Sequence, residues 1–380
     1  MKIVHLCLSC FYIDGYSYQE NLLPKYHQFM GNEVGIIASL MSFDSNGDRI
    51  YLPHGSVYKN ECGIQVSRLD FKKPARLSKI LRMYKSTYQS IKEFAPDIIF
   101  MHGVQFKDVS EVIKYMKKHP NVKLFVDNHS DFSNSATNWI SKNIQHKILW
   151  RYYAKKLEPY VEKFYGVLPA RVDFLINMYG LPKEKVELLV MGADDELVEK
   201  AEHPAVKKKI REKCNINQDD FLIMTGGKID SWKKQTLLLM DAVNQINNPK
   251  VKLVVFGSVT EELKSEVEKR CSDSVQYIGW IKAEDSYEYF AASDLVVFPG
   301  RHSVFWEQVA GQGIPMICKW WEGTTHVDCG GNVLFLKEDE VEVIKNAINT
   351  VQNNYSIFKS SAEKARSTFS YKDIAKRSIK

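Results

Sequence analysis

Residues 300–315 read GRHSVFWEQVAGQGIP and follow directly on the apolar run DLVVFP. A strand end, a short loop and an amphipathic segment are expected in that order. Ser303 stands where a helix N-cap belongs. In that position the N–H groups of Ser303, Val304 and Phe305 point beyond the strand end. An anion there gains from free donors and from the helix dipole together. Arg301 and His302 add positive charge and donor capacity, so the group suits a phosphate. Glu307 lies one turn further in. A carboxylate there can accept two hydrogen bonds from a vicinal diol such as a ribose, although a favourable placement against the helix dipole accounts for it as well.

A second stretch, DFLIMTGGKIDSWKKQ, gathers three ammonium groups. Gly226 and Gly227 end its apolar run, and Lys228, Lys233 and Lys234 follow. Beside a helix N-terminus these can hold a diphosphate by charge and backbone N–H groups; a solvated basic loop fits the same residues. Gly279 leaves the run SVQYI ahead of Trp280 and Ile281. A glycine there lets a flat base approach the backbone, or the loop simply packs a tryptophan. Gly15 follows the first apolar run and permits a tight turn before a helix. His129, after KLFVD, can donate to or shield a substrate oxygen, or can pack as a structural histidine.

The elements that position these residues are continuous Val/Ile/Leu/Phe runs. They are KIVHLCLS, EVGIIAS, DIIFMH, VKLFVD and KFYGVLP, then DFLIMTGG, VKLVVFG, VQYIGW, DLVVFP, IPMICKW and NVLFL. Runs without alternation indicate strands buried on both faces, as in parallel sheets. Helical patterns separate them, among them SYQENLLPKYHQFM and KKQTLLLMDAVNQI. The class is α/β with doubly wound sheets. Such sheets bind ligands beyond the carboxyl ends of their strands, where every residue named above falls.

The chain has 380 residues and a net charge of +6. Residues 1–180 hold 24 Lys+Arg against 16 Asp+Glu, and residues 181–380 hold 28 against 30, so the excess lies in the first half. No apolar run approaches the ~20 residues of a membrane span, and the start reads as a strand, not a signal peptide. The cytosol is the expected compartment. Seven dispersed Cys suit reduced thiols. No dinucleotide fingerprint, Walker loop or nucleic-acid motif occurs. The stretch RLDFKKPARLSKILRMYK, residues 68–85, has seven basic residues and one acid, with Leu77, Ile80, Leu81 and Tyr84 at helical spacing. It predicts a basic amphipathic helix, and residues 68–92 are the expected contact with an anionic membrane surface. Trp139, Trp150, Tyr152, Tyr153, Lys155 and Lys156 add to that character.

The set resembles the retaining family 4 glycosyltransferases of the GT-B fold, over nearly the whole chain and most closely in residues 220–336. GGKIDSWKK stands for the family's Gly-Arg-Leu…Lys-Gly loop, YIGWI for its base-binding strand end, and FWEQVAGQGIP for its Leu-Glu-Ala-x-Ala-x-Gly-x-Pro turn. DGYSYQENLLPKYHQFMGNEVGIIAS looks like the family's first glycine loop, helix and second strand. The resemblance implies two Rossmann-like domains facing each other across a cleft, residues 1–185 on the acceptor side and 186–358 on the donor side, with 359–380 returning to the first as a helix. It implies a nucleotide diphosphate sugar as donor, a UDP-sugar, and a glycan or lipid-linked acceptor. No cofactor and no metal are expected. Lys228 and Lys233, with Lys234 as the alternative to the second, would neutralise the diphosphate. Glu307 would hold the ribose, Gly279 and Ile281 the base, and His129 would stand beside the donor sugar. Gly15 would border the diphosphate and the acceptor, and Gly227 would belong to the donor-binding set.

Two departures stand out. The family commonly has a second Glu eight positions before this one; here that position is Pro299. Arg301, His302, Ser303 and Val304 occupy the shortened loop, where sugar choice would be made. Lys228 replaces the usual Arg, keeping charge but losing the bidentate fork. A nucleotide-sugar epimerase of the same shape and a non-catalytic sugar-nucleotide-binding subunit are the rival expectations. The oligomeric state is not legible.

Overall fold

Each apolar run can be buried on both faces only if helices cover both sides of its sheet. A computed structural model describes residues 1–10, 12–44 and 49–380. The chain divides into two units, Met1–Val190 with Ile374–Lys380, and Met191–Asp373.

In the first unit the strands are β1 (Lys2–Cys7), β2 (Glu33–Ala38), β3 (Met41–Phe43), β4 (Arg49–Tyr51), β5 (Ser56–Lys59), β6 (Gln65–Arg68), β7 (Ile98–His102), β8 (Lys123–Asn128), β9 (Lys163–Gly166) and β10 (Val186–Leu188). Eight form one sheet in the order β10-β9-β8-β7-β1-β2-β6-β5, parallel except at the β5–β6 edge. β3 and β4 make a separate antiparallel pair. Helix Gln19–Phe29 follows β1 and buries Leu22, Leu23 and Tyr26. The second unit has β11 (Phe221–Gly226), β12 (Val251–Phe256), β13 (Val275–Tyr277), β14 (Leu295–Phe298), β15 (Met316–Lys319) and β16 (Val333–Leu336). They form an all-parallel sheet in the order β13-β12-β11-β14-β15-β16. Every strand expected from the apolar runs is present.

The segment expected to return as one helix, 359–380, divides instead. Residues up to Asp373 belong to the second unit, tied there by Ala193 N–H donating to the Phe369 carbonyl and Tyr371 N–H to the Ala193 carbonyl. Residues Ile374–Lys380 belong to the first.

The stretch 68–85 is not the expected basic amphipathic helix. β6 runs to Arg68, Phe71 bridges Tyr84, and only Ala75–Leu81 is helical, closed by Arg82 at φ 53°. Three of its seven basic residues are spent inside the unit. Arg68 is buried and pairs with Asp14 at 2.9 Å, Lys72 pairs with Asp108 at 3.1 Å, and Arg82 donates to the carbonyls of Ser9 and Gln105. Tyr84 is in the core, and Ile91 in the next helix, Thr87–Phe94, is buried too. Lys73, Arg76, Lys79 and Lys85 stay exposed, with Leu77 and Ile80 beside them, so the stretch keeps an exposed basic and apolar segment although not the expected long helix. Among the described residues no helix is long and apolar enough to cross a membrane.

Candidate functional site

In the second unit the strand order reverses between β11 and β14, with β12 and β13 on one side and β15 and β16 on the other. A crevice opens outside the carboxyl ends at such a switch point. The residues after β11 and β14 line one here: Gly226, Gly227, Lys228 and Lys233 from the first loop, and Pro299, Gly300, Arg301 and Ser303 from the second.

The first loop is held by Asp230. Its Oδ1 accepts from the N–H of Trp232 at 2.9 Å and of Lys233 at 3.1 Å. This turn delivers Lys233 to the crevice just before helix Gln235–Asn244. Burial holds the Lys233 ammonium below its usual range, with Asp230 opposing and Arg301 and Lys228 adding repulsion. An anion between these cations would relieve all three. Lys228 is more exposed, with its ammonium 3.9 Å from Asp230. Gly227 has φ +129°, a backbone that side chains rarely adopt. The Arg301 guanidinium lies 4.5 Å from the Trp232 ring centre, a cation–π contact at the mouth.

Ser303 is not a helix cap. Val304 occupies the N-cap position of helix Phe305–Gly311, and the Ser303 carbonyl accepts from Trp306 N–H at 3.0 Å. The loop carries one residue more than a capped turn needs, which leaves the Ser303 side chain on the crevice wall. Glu307 is fully buried. His302 Nε2 and His326 Nε2 each lie 2.8 Å from its Oε1, while Oε2 has no hydrogen-bond partner. Burial alone would raise the carboxyl, but the two imidazoles outweigh it and hold the group ionised well below the usual carboxylate range.

In the first unit a chain of buried histidines crosses the sheet. His27 Nε2 is 3.1 Å from the Ala375 carbonyl, His27 Nδ1 is 3.0 Å from His5 Nε2, and His5 Nδ1 is 3.0 Å from His102 Nε2. His102 Nδ1 then meets Asp127 Oδ2 at 2.7 Å. One tautomer set satisfies every link: protonated His102 donates both ways, and neutral His5 and His27 each pass one N–H onward. The shifts agree. Burial lowers His102, but Asp127 dominates and raises it to about 10. His27 falls to about 4, chiefly by burial. His129, at the end of β8, has Nε2 3.4 Å from the same Asp127 oxygen and 3.8 Å from Glu20 Oε1, without a formed hydrogen bond.

The crevice thus gathers Gly227, Lys228, Lys233, Arg301 and Ser303. Lys234 is exposed and does not line it. His302 and Glu307 sit together one turn away, and Val304 is exposed beside them. Gly279, at φ +78°, and Ile281 follow β13 and lie off the crevice. Gly15, at φ +75°, turns the chain between β1 and its helix, and with His129 belongs to the first unit. Sequence reasoning missed His326, whose loop follows the IPMICKW strand and would have been reached by examining what comes after that strand. It also missed the histidines behind Asp127. The ligand atoms of His302, Glu307 and His326 lie within 4.8 Å of one another, as do those of Glu20, His102 and His129. In the first trio the spacings to Glu307 are those of hydrogen bonds.

No curated protein matches the sequence. Residues 206–364 match the family model described as glycosyl transferases group 1. Solved structures share the fold over nearly the whole chain. A sucrose-phosphate synthase from Thermosynechococcus elongatus aligns with a TM-score of 0.67 at 14% identity, covering 99% of this chain and 96% of that one. The Anabaena protein HepE, in complex with UDP, aligns at 0.67 and 17% identity, covering 99% and 98%. A UDP-GlcNAc 2-epimerase from Neisseria meningitidis bound to UDP-GlcNAc aligns at 0.65 and 12%, covering 99% and 98%. At these identities the likeness is one of fold, the GT-B arrangement of two Rossmann-like domains, as the sequence resemblance implied.

Proposed function

We propose, for a glycosyltransferase of GT-B fold whose residues 206–364 form a glycosyl transferases group 1 domain, that the donor is a UDP-sugar and that the sugar passes with retained configuration to a hydroxyl of a glycan, lipid-linked or polymeric anionic acceptor, in surface-polysaccharide synthesis. The observation that carries this reading is the crevice at the β11/β14 switch point, where Lys228, Lys233 and Arg301 converge beside Gly227 and Ser303. When the bond from the sugar to the diphosphate breaks, negative charge builds on the departing oxygen. Fixed cations there stabilise it, each worth ~3 kcal/mol. Lys233 contributes most, because it is partly desolvated. Glu307 would receive the ribose diol, which requires its buried, unbonded Oε2 to be uncovered when the donor binds. Gly279 and Ile281 would meet the base. His129, backed by Asp127, would donate to the donor sugar, with Gly15 bordering it. The cations supply the charge that a metal would otherwise bring, so none is required.

A panel of nucleotide sugars, offered with and without membrane extract and with a chelator, tests this. UDP release that depends on acceptor and survives chelation supports it; binding without turnover sinks it in favour of a non-catalytic partner. A second reading, epimerisation of a nucleotide sugar, is favoured by the acid–base group of His129, Asp127 and Glu20. It requires isomerised sugar nucleotide without release.

A further inference from the structure

We propose that the helix over residues 139–157 is the face by which the first unit lies on an anionic lipid bilayer. Its backbone is helical from residue 139, wide through Ser141–Trp150 and regular through Arg151–Leu157. One side is core: Trp150, Ala154 and Leu157 are buried, and His146 Nδ1 meets the Tyr179 hydroxyl at 2.8 Å. The other side carries Trp139, Ile140, Ile144, Ile148 and Tyr152, each between 47% and 70% exposed. A helix on a protein surface ordinarily turns polar residues outward. One exposed isoleucine is unremarkable; three at four-residue spacing, flanked by a tryptophan and a tyrosine, form a patch that calls for an apolar partner.

Charge identifies the partner. Residues 138–157 hold Lys142, Lys147, Arg151, Lys155 and Lys156, and no Asp or Glu; Arg151 and Lys155 donate to the carbonyls of Met178 and Gly180, which leaves Lys142, Lys147 and Lys156 for the outer face. The Lys142 ammonium lies 5.3 Å from the Phe132 ring centre and that of Lys156 5.7 Å from the Tyr152 ring centre. Charge and apolar surface are thus interleaved on this face, and such long side chains can swing their charged ends to headgroups. Isoleucines sunk at the acyl boundary with ammonium groups at the phosphates satisfy both halves of the face at once. A second copy satisfies only the apolar half, since a two-fold contact would set each positive face against its own image. The helix is too short and too charged to span, so it lies on the surface. This face is separate in sequence from the stretch 68–92, and it stands whether or not sugar transfer is the reaction.

Co-sedimentation of the full chain with vesicles of equal parts phosphatidylcholine and phosphatidylglycerol tests the proposal. The protein is expected to pellet with these, to remain in solution with phosphatidylcholine alone, and to be released by high salt. The double variants Ile144→Glu/Ile148→Glu and Lys142→Glu/Lys147→Glu should each weaken binding about tenfold or more, with unfolding temperature and UDP binding unchanged because none of these residues lies at the crevice. Absence of binding to phosphatidylglycerol vesicles, or unaltered binding by both variants, overturns it. So does light scattering that shows a wild-type oligomer which Ile144→Glu/Ile148→Glu dissolves, because the face would then join copies of the chain.

Discussion

His326 Nε2 lies 2.8 Å from Oε1 of Glu307, although the two residues stand 19 positions apart. That contact joins the loop after β15 to the helix after β14. It occupies one carboxylate oxygen, while the other is buried without a hydrogen-bond partner. Removing the imidazole strands a buried negative charge on a single remaining partner, His302. The cost of such a loss is about 1–3 kcal/mol. His326→Ala should therefore bind UDP roughly tenfold more weakly by calorimetry and melt several degrees lower. His326→Asn, which keeps a donor, should recover part of both. Unchanged UDP affinity in the alanine variant would show that Glu307 does not depend on this clamp.

The crevice separates the two neighbouring lysines. Lys233 lines it and is partly desolvated, whereas Lys234 is exposed and lies outside. Steady-state UDP release should show kcat/KM falling by ~10²–10³ in Lys233→Ala, the range for one preorganised donor to a developing anion. Lys234→Ala should stay within about twofold, as a surface substitution. Lys228→Ala should fall between, because its ammonium is more solvated. Equal losses at 233 and 234 would mean that the diphosphate lies elsewhere along the helix start.

The histidine chain makes stability depend on pH on both sides of neutrality. Between about 4, where His27 titrates in the folded protein, and about 6.5, where it titrates unfolded, the unfolded chain binds a proton that the folded one refuses. Stability therefore falls as pH drops through that window, by on the order of 3 kcal/mol. His146, lowered to about 4 mainly by burial, steepens the same limb. His102 acts in the opposite direction. Its ion pair with Asp127 contributes fully below about 6.5 and is lost as pH rises through about 10. Unfolding temperature should peak near neutral pH. His27→Gln should make the acid limb shallower and His102→Gln the alkaline one. A profile flat from pH 5 to 9 would show that the chain carries no net proton linkage.

The residues legible in advance were those whose signal is local. β11, β12, β14 and β15 are continuous apolar runs, and Lys228 and Lys233 could be placed by counting from a strand end. β4 and β5 were not legible: their side chains are mostly exposed, so no apolar period marks them. Ser303 misled because capping preference is a local rule, while the number of loop residues is set by how β14 and its helix pack. Residues 68–85 misled for a related reason. Basic and apolar residues at helical spacing look alike whether they face water or, like Arg68 and Tyr84, reach Asp14 and the Leu8 carbonyl across the unit. The clamp on Glu307 and the chain behind Asp127 join residues far apart in sequence, with no spacing to announce them.

The crevice floor depends on two glycines that meet across strands. Gly257, just after β12, has φ +129°, and a Cβ there would collide with the backbone carbonyl of Gly227. Its N–H donates to the Gly279 carbonyl at 2.8 Å, and its own carbonyl accepts from the Tyr277 hydroxyl at 2.7 Å, so it cannot shift without breaking both. Gly257→Ala must therefore displace Gly227. It should cost about 1–3 kcal/mol of stability and weaken UDP binding, because the backbone lining the crevice moves. Gly227→Ala meets no atom within 4 Å, yet it also sits at φ +129°. Its loss should come from backbone strain alone and be the smaller of the two in a thermal melt. Thermal melts and UDP titrations of both variants decide the matter: a Gly257→Ala protein with wild-type melting and wild-type affinity would show that the two loops are not mechanically joined.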